Sequence, residues 1–203
     1  PVFVCMHCSA YAITGVSNNK VNVTPNFKNS GTAALGDCFK GFASVHYLTG
    51  DTHINRAMAN EDMPAGYGNI FEHNMGAVCA SWWWTGYISQ NSICKDGSEG
   101  GYMVFTNNGS DVKWRWKGMK VDAGKQFRSY DMNVVKNHYD TDASVKAFLQ
   151  KYPLRSRYAA CKANTVYINV WNWDSGWQIS VKENGQPLTV TQIRAEDPLH
   201  NLS

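Results

Sequence analysis

The chain has 203 residues, of which 43% are hydrophobic and 17% are charged, with a formal net charge of +3. This composition excludes a disordered chain and fits one medium domain or two small ones. The basic residues are scattered, so we predict no patch for nucleic acid or for a membrane surface. The longest apolar runs fall well short of the roughly 20 residues that a transmembrane helix needs. Six widely spaced cysteines do not predict a disulfide scaffold.

The first part of the chain predicts a strand, a helix and a second strand. Residues 2–6 form an almost continuous apolar run, which is typical of a strand covered on both faces. A polar loop is expected next, followed by a helix over residues 30–42 and a strand over residues 43–48. Such units form parallel pairs through a right-handed crossover, which brings both carboxyl ends to one edge of the sheet. Open α/β sheets bind their ligands at that edge.

Farther along the chain the pattern indicates strands that are separated by turns. Residues 69–71 and 76–84 are predicted to be two strands, with a turn at residues 73–74. Residues 101–106 and 111–116 alternate around the sequence Asn-Asn-Gly-Ser, which is a strong hairpin signal. A two-stranded hairpin is therefore the most sharply defined element of this part.

The pattern near the end of the chain also indicates strands. They are expected at residues 165–170, 177–182 and 188–193. One helix interrupts the series, capped by Thr141 or Asp142 and ended by Pro153. A β-sandwich is the simplest architecture for such strands, so we expect residues 85–203 to form a β-sandwich-like domain. Residues 1–84 are expected to form an α/β part that packs against it.

Two predicted strand ends have side chains suited to metal binding. His7 follows the first strand, and Asp51 and His53 follow the second in the sequence Gly-Asp-Thr-His. Two side chains separated by one residue both face a metal when the turn curls, and glycine permits that bend. Imidazole and carboxylate are ligands for zinc, iron or manganese. Cys5 and Cys8 have C-x-x-C spacing but are predicted to be small buried thiols, since no second pair follows.

These motifs resemble those of calcineurin-like metallophosphoesterases, which contain D-x-H, G-D-x-x-D, G-N-H-D/E, a lone strand-end histidine and finally G-H-x-H. Residues 1–7 match the fourth motif, and residues 47–53 lie where the fifth belongs. The resemblance implies that residues 1–84 end a four-layer α/β/β/α catalytic domain. It also implies that His7 and Asp51 bind one ion of a binuclear centre and that His53 binds the other. The complete enzyme would use two divalent ions, Mn, Fe or Zn, to hydrolyse a small-molecule or polymer phosphate ester.

Downstream segments resemble a bacterial subgroup, seen in Bacteroides-type organisms, in which a dedicated domain follows the catalytic one. They lie at residues 71–74, 77–84, 94–97 with 100–102, 126–133 and 169–177. The subgroup implies a periplasmic or cell-surface location. Asp51 replaces the first histidine of G-H-x-H, and the first three motifs are absent from the sequence. We therefore predict no catalytic residue and no activity for this chain alone, and we expect Pro1 to follow an upstream segment of a longer protein.

The eight tryptophans fall in or beside predicted strands of the later region, and three roles remain open for them. They pack in the core and between domains, or they form a platform that stacks on sugar rings, or they line a phosphoesterase pocket. The second role would make the later domain a carbohydrate- or ligand-binding module attached to a degenerate phosphoesterase. The third would place Trp83 against the substrate, together with His73, whose alternative role is that of a structural turn residue. His46 is expected to be a core residue.

Overall fold

The computed structural model describes residues 1–18, 20–78, 93–151, 162–174, 176–195 and 197–202. The architecture is mixed α/β, with mostly strands and few helices. The chain divides into two compact units. The first unit comprises Pro1–Thr49, Ala57–His73 and Trp173–Ala195, and the second comprises Gly50–Arg56, Asn74–Asn172 and Glu196–Ser203. The boundary predicted between residues 84 and 85 lies outside the described residues and stays a prediction. Within the described ranges, no helix is both long and apolar enough to cross a membrane.

The first part of the chain contains a four-stranded sheet, a hairpin and a helix. In chain order the elements are β1 (Val2–Cys5), β2 (Tyr11–Ser17), β3 (Lys20–Pro25), α1 (Asn29–Asp37), β4 (Val45–Thr49), β5 (Arg56–Met58), a 3₁₀ turn (Asn60–Asp62) and β6 (Ile70–Asn74). The sheet has the strand order β1-β4-β6-β5, and β1 runs parallel to β4. The predicted parallel pair and the helix between its strands are therefore confirmed.

Several details of this part differ from the expectation. The helix α1 ends at Asp37, well before residue 42. The expected polar loop instead contains the antiparallel hairpin of β2 and β3, in which Ser17 pairs with Lys20. The turn predicted at residues 73–74 is wrong, because both residues are buried in β6. Of the strand predicted at residues 76–84, residues 76–78 form no strand and the rest lies outside the described residues.

The core of the first unit lies against the sheet and is covered in part by α1. Its buried members are Ala10, Tyr11, Val45, Tyr47, Met58, Met63 and Ile70. Leu35 of α1 and Phe39, which follows the helix, pack against this cluster. A Cβ atom at Gly36 would lie 2.6 Å from the ring of Tyr67, so glycine permits the close approach of that ring. The Tyr67 hydroxyl donates a hydrogen bond to Asp37 Oδ1 at 3.0 Å, which ties the end of α1 to the loop before β6.

The later part of the chain alternates short hairpins with helices. Its elements are β7 (Gly101–Asn108), β8 (Asp111–Gly118), β9 (Phe127–Asp131), α2 (Met132–Thr141), α3 (Ala143–Lys151), β10 (Val166–Val170), β11 (Val181–Glu183), β12 (Gln186–Leu188) and α4 (Pro198–Leu202). The hairpin of β7 and β8 and the strand β10 were both predicted and are confirmed. Asp142 precedes α3 as predicted and accepts hydrogen bonds from the backbone N–H groups of Ser144 and Val145. The helix α2 and the strand β9 were not predicted.

The last strands are shorter than the sequence pattern indicates. The turn between β11 and β12 lies where it was predicted, at Asn184 and Gly185, but residues 177–180 and 189–193 form no strand. Most of their side chains are exposed, so they bury too little apolar area to extend the pair. The described strands of the later part pair two by two, as β7 with β8, β9 with β10, and β11 with β12. The β-sandwich and the four-layer arrangement stay predictions.

Candidate metal centre

The carboxyl ends of β1 and β4 lie side by side in the sheet. Cys5 is opposite Leu48, and the backbone N–H of Met6 donates to the carbonyl of Leu48 at 3.0 Å. The chain therefore leaves both strands at the same edge, which is the edge where parallel sheets bind ligands. His7 is the second residue after β1, and Asp51 is the second residue after β4. Both side chains belong to exposed residues.

Cys8 is a donor that the sequence analysis did not assign to a site. A ring nitrogen of His7 and the sulfur of Cys8 lie within 4.8 Å of each other. Cys8 was predicted to be a buried thiol, but it is exposed. Its position directly after His7 was the only sequence signal for this pair of donors. Imidazole and thiolate are both ligands for zinc and iron, so Cys8 extends the range of ions that this segment suits.

The loop after β4 has a strained backbone at both of its predicted ligands. Asp51 has a φ of 65° and His53 a φ of 56°, and such left-handed conformations cost a non-glycine residue about 1–2 kcal/mol each. The N–H of Thr52 donates to the carbonyl of Gly50 at 2.7 Å, which closes a γ-turn around Asp51. Strained residues of this kind persist only where the surrounding structure holds them in place.

Asn74 of β6 holds this loop from the buried side. Its Nδ2 donates to the carbonyl of Gly50 at 2.7 Å, and its Oδ1 accepts a short hydrogen bond from the hydroxyl of Thr52. The same hydroxyl accepts a hydrogen bond from the N–H of Ile54 at 3.3 Å. Asn74 is only 1% exposed. One buried amide thus bonds to the residues on both sides of Asp51.

Glu72 accepts a second set of hydrogen bonds at the same end of the sheet. Its Oε1 accepts hydrogen bonds from the N–H of Ala10 at 2.9 Å and from the hydroxyl of Thr49 at 3.0 Å. Its Oε2 accepts one from the N–H of Tyr11 at 3.0 Å. A carboxyl group that is fully buried, as this one is, is tolerated only when its oxygens are hydrogen-bonded. Glu72 therefore joins the segment that follows β1 to the last residue of β4.

His73 lies between these two residues on β6 and is fully buried. Its Nε2 is 3.1 Å from Nδ1 of His46, and the two rings stack with centroids 5.4 Å apart. His46 also stacks on Phe3 and Phe71. Burial lowers the pKa of His46 to about 4 and that of His73 to about 3, so both rings are neutral at pH 7. The prediction of His46 as a core residue is confirmed, whereas a substrate-binding role for His73 stays a prediction.

Of the five described tryptophans, two are fully buried, two form a perpendicular pair, and Trp114 is half-buried with its Nε1 donating to the carbonyl of Asn172 at 3.2 Å. Trp116 and Trp171 are fully buried, so core packing accounts for them. Trp173 and Trp177 meet with an angle of 82° between their ring planes, whereas a sugar-binding platform needs coplanar rings. Trp83 and its two tryptophan neighbours lie outside the described residues. The sugar-binding and pocket-wall roles therefore stay predictions for that segment.

The second unit contains a buried polar network that the sequence analysis did not predict. Asp197 accepts hydrogen bonds from the hydroxyl of Tyr130, from Nδ2 of Asn169 and from the first backbone N–H groups of α4. A Cβ atom at Gly97, whose φ is 75°, would overlap the carboxyl group of Asp197. The Cys-Lys-Asp-Gly segment was noted only for its resemblance to other proteins. Its glycine is explained by this close approach.

Asp96 lies beside that glycine and is enclosed by donors. Its Oδ1 accepts hydrogen bonds from the backbone N–H and the hydroxyl of Ser98, at 3.1 and 2.7 Å. Its Oδ2 accepts one from Nδ2 of Asn55 at 3.1 Å. Burial raises the pKa of Asp96 to about 7, in spite of these donors. Both carboxylate oxygens are thus engaged, by three hydrogen bonds in all, so the carboxyl group acts within the second unit.

The exposed donors at the sheet edge suit a divalent ion, and the buried ones do not. His7 and Asp51 are accessible, and His53 is half-buried. Imidazole and carboxylate match the preferences of Mn, Fe and Zn. The side chains of Glu72 and Asn74 are engaged by the hydrogen bonds described above. Each of these donors is thus of a type that binds such ions, while its role as a ligand stays a prediction.

A comparison with known protein families finds a match that covers the later part of the chain. The family described as the C terminal of calcineurin-like phosphoesterase matches residues 72–203. No curated protein and no solved structure matches the chain. Calcineurin-like phosphoesterases generally use divalent metals. Because the matched residues make up more than half of the sequence, the resemblance to calcineurin-like phosphoesterases is confirmed, and the chain belongs to the family of C-terminal regions of these phosphoesterases.

Proposed function

We propose that this chain forms the downstream part of a metal-dependent phosphoric ester hydrolase, a phosphatase or a phosphodiesterase. The observation that supports this most is the parallel pairing of β1 and β4, because His7 and Asp51 follow directly at the shared edge. Membership of the calcineurin-like family adds the reaction class. A small-molecule or polymer phosphate ester is the proposed substrate class, and the proposed location, periplasmic or cell-surface, rests on resemblance alone.

In this proposal three side chains bind the metals. His7 and Asp51 bind one ion through an imidazole nitrogen and a carboxylate oxygen, and His53 binds the other through its imidazole. Two bound divalent ions, Mn, Fe or Zn, would supply the Lewis acid and the activated water for ester hydrolysis. The chain's own contribution is to hold these donors in place. Asn74 fixes the turn around Asp51, and Glu72 fixes the backbone that follows His7.

The chain alone is proposed to be inactive. A two-metal site needs ligands from D-x-H, G-D-x-x-D and G-N-H-D/E in addition to those of the last two motifs, and these three motifs do not occur in the sequence. Three ligands leave each ion with few protein donors, so neither ion would be held in a fixed geometry.

The test compares this chain with a longer polypeptide in which it follows a segment that contains the three missing motifs. Loaded with Mn, Fe or Zn, the longer polypeptide should hydrolyse aryl phosphate monoesters or diesters, and this chain alone should not. His7→Ala and His53→Ala should reduce kcat/KM of the longer polypeptide to background. His138→Ala, which changes an exposed histidine of α2, is the matched control and should leave kcat/KM unchanged.

Two results would contradict the proposal. One is a longer polypeptide that leaves both ester classes untouched with all three metals. The other is hydrolysis that persists in His7→Ala and His53→Ala at the rate of the unaltered polypeptide. The second result would show that the activity belongs to a different site.

A further inference from the structure

The strand β6 presents two polar side chains in the same direction. Glu72 and Asn74 are two residues apart, and side chains at that spacing lie on one face of a strand. Both are buried, and each bonds to a segment that follows one of the two parallel strands β1 and β4. We propose that Glu72 and Asn74 are positioning residues, which fix the two segments that contain the metal ligands. This inference rests on the function proposed above.

Glu72 fixes the segment of His7 at its far end. Five residues, 6–10, connect β1 to β2, and Met6 still bonds to β4. The Glu72 carboxyl group accepts the N–H groups of the consecutive residues Ala10 and Tyr11. The connection is thus held at both ends, and His7 and Cys8 lie on the short bridge between them. Loss of the carboxyl group would remove two of the hydrogen bonds that hold the far end of that bridge.

The far end of this bridge has a second anchor, which is independent of Glu72. Nδ2 of Asn26 donates to the carbonyl of Ser9 at 3.0 Å, and the N–H of Asn26 donates to the carbonyl of Ala10 at 2.9 Å. Residues 9 and 10 are fully buried, whereas His7 is exposed. Removal of the Glu72 carboxyl should therefore loosen the bridge without unfolding the hairpin that follows it.

Asn74 fixes the segment of Asp51 and His53 by a different arrangement. It donates to the carbonyl before Asp51 and accepts from the hydroxyl of Thr52 after it. These bonds span the residue with a φ of 65° and hold the first half of a loop whose second strained residue is His53. A strained conformation relaxes when its supports are removed. The amide of Asn74 is thus one support of the strained turn.

These polar groups are explained better by positioning than by packing. A buried carboxyl or amide group adds little net stability over an apolar residue of the same shape, because desolvation offsets most of its hydrogen-bond energy. The hydrogen-bond partners given above for Glu72 and Asn74 are backbone and hydroxyl groups at the strand ends and in the two segments. Groups that orient metal ligands in this way typically affect metal affinity about 10–100-fold.

The experiment is a Co²⁺ titration of the longer polypeptide defined above, followed by visible absorption. Glu72→Gln and Asn74→Leu should raise the dissociation constant of Co²⁺ by about 10–100-fold and, at saturating Co²⁺, shift the absorption bands that report the coordination geometry. A purely structural residue would not shift those bands. The matched controls are Glu183→Gln and Asn107→Leu, which change exposed residues of β11 and β7 and should leave both readouts unchanged.

A milder variant keeps the test decisive if the first two fail to fold, as judged by far-UV circular dichroism. Thr52→Val keeps the shape of the side chain but removes the hydroxyl that bonds to Asn74 and to the N–H of Ile54. It should raise the dissociation constant in the same direction and shift the same bands. Thr49→Val, which removes the hydroxyl donor to Glu72, tests the other segment in the same way.

The outcomes separate this inference from the function on which it rests. Folded variants at Glu72, Asn74 and Thr52 with Co²⁺ affinity within twofold of the unaltered protein and with identical bands would overturn the positioning role and leave the proposed function standing. If His7→Ala and Asp51→Ala bind Co²⁺ as the unaltered protein does, the proposed metal ligands are wrong, and the positioning role is wrong with them.

Discussion

Buried carboxyl groups in the two units have similar chemistry and different neighbours. Glu72 in the first unit bonds to the backbone next to exposed donor side chains. Asp197 in the second unit bonds to Tyr130 and Asn169, which are side chains of the interior, and to the start of α4. A buried carboxyl group thus bonds either to a segment with exposed donor side chains or to groups within a closed core. The hydrogen-bond partners of the carboxyl group, and not its burial, distinguish these two roles.

The two units also differ in the direction in which burial shifts the pKa values of their titratable groups. The first unit holds His46 and His73 in the neutral form, because burial lowers their pKa values. The second holds Asp96 in the neutral form up to about pH 7, because burial raises the pKa of its carboxyl group. As the pH falls from about 7 to about 4, the contribution of the two histidines to the free energy of unfolding therefore decreases, whereas that of Asp96 increases. This difference permits each unit to be tested separately.

The largest effect is expected for Asp197→Ala. The change leaves the hydroxyl of Tyr130, the amide of Asn169 and the first N–H groups of α4 without their acceptor in a buried site. Such a loss should lower the free energy of unfolding by about 3–5 kcal/mol. Urea denaturation followed by tryptophan fluorescence measures it, since Trp116 and Trp171 are buried in the same unit.

Asp111→Ala is the matched control for that change. Asp111 is exposed and pairs with the exposed Lys113 at 3.1 Å, so its removal should alter the free energy of unfolding by no more than about 0.5 kcal/mol. Equal losses in the two variants would show that the Asp197 network does not hold the interior of the second unit.

The next effect is the acid sensitivity of the first unit. In the unfolded chain both histidines bind protons below about pH 6.5, whereas in the folded chain they do so only near pH 4 and pH 3. The free energy of unfolding should therefore fall by about 2–4 kcal/mol between pH 7 and pH 5 on their account. In His46→Phe the ring stack is kept and one titration is removed. Urea denaturation at both pH values should show a smaller loss in that variant, and an unchanged loss would contradict the assignment.

The contribution of Asp96 to the free energy of unfolding should depend on pH in the opposite direction. Its carboxyl group keeps a proton up to about pH 7 when folded and only up to about pH 4 when unfolded. The stability that it contributes is therefore present in acid and decreases by about 2 kcal/mol between pH 5 and pH 7. Asp96→Asn removes the titration. The difference in the free energy of unfolding between the variant and the unaltered chain, measured across that range, should change by this amount, and a flat difference would contradict it.

The smallest effect is expected at the turn of the last hairpin. Gly185 has a φ of 81°, and a Cβ atom there would meet nothing within 4 Å. Gly185→Ala should therefore cost only the backbone penalty, about 1 kcal/mol. The hairpin is exposed, so no packing loss should add to this penalty, and urea denaturation measures the change in the free energy of unfolding. A loss as large as that of Asp197→Ala would show that this hairpin supports more of the fold than its exposure indicates.

The parts of the fold that the sequence predicted are those with a local signal. The parallel strands β1 and β4 are continuous apolar runs, and the hairpin of β7 and β8 has its turn residues between alternating strands. The hairpin of β2 and β3 was missed because polar residues and one glycine interrupt the apolar residues of its strands, and several of its positions are exposed. Asn18, with a φ of 50°, and the asparagine after it were the signal that would have found it.

The candidate site was predicted only in part, for a related reason. His7, Asp51 and His53 were found because a motif marks them. Asn74 was placed in a turn and Glu72 between that turn and the strand before it, since a run of polar residues inside a strand contradicts the usual pattern. Their burial depends on partners far away in sequence, such as Ala10, which lies 62 residues from Glu72. No short stretch of sequence contains that information, so only the folded structure reveals the hydrogen bonds of Glu72 and Asn74.

The most direct test of the account is anomalous diffraction from crystals of the longer polypeptide grown with Mn²⁺ or Zn²⁺. The account predicts two metal peaks at the carboxyl edge of β1 and β4, with donor atoms of His7, Asp51 and His53 at roughly 2.0–2.2 Å from a metal. Metal peaks that are bound entirely by other residues, with these three side chains free of metal, would contradict the central claim.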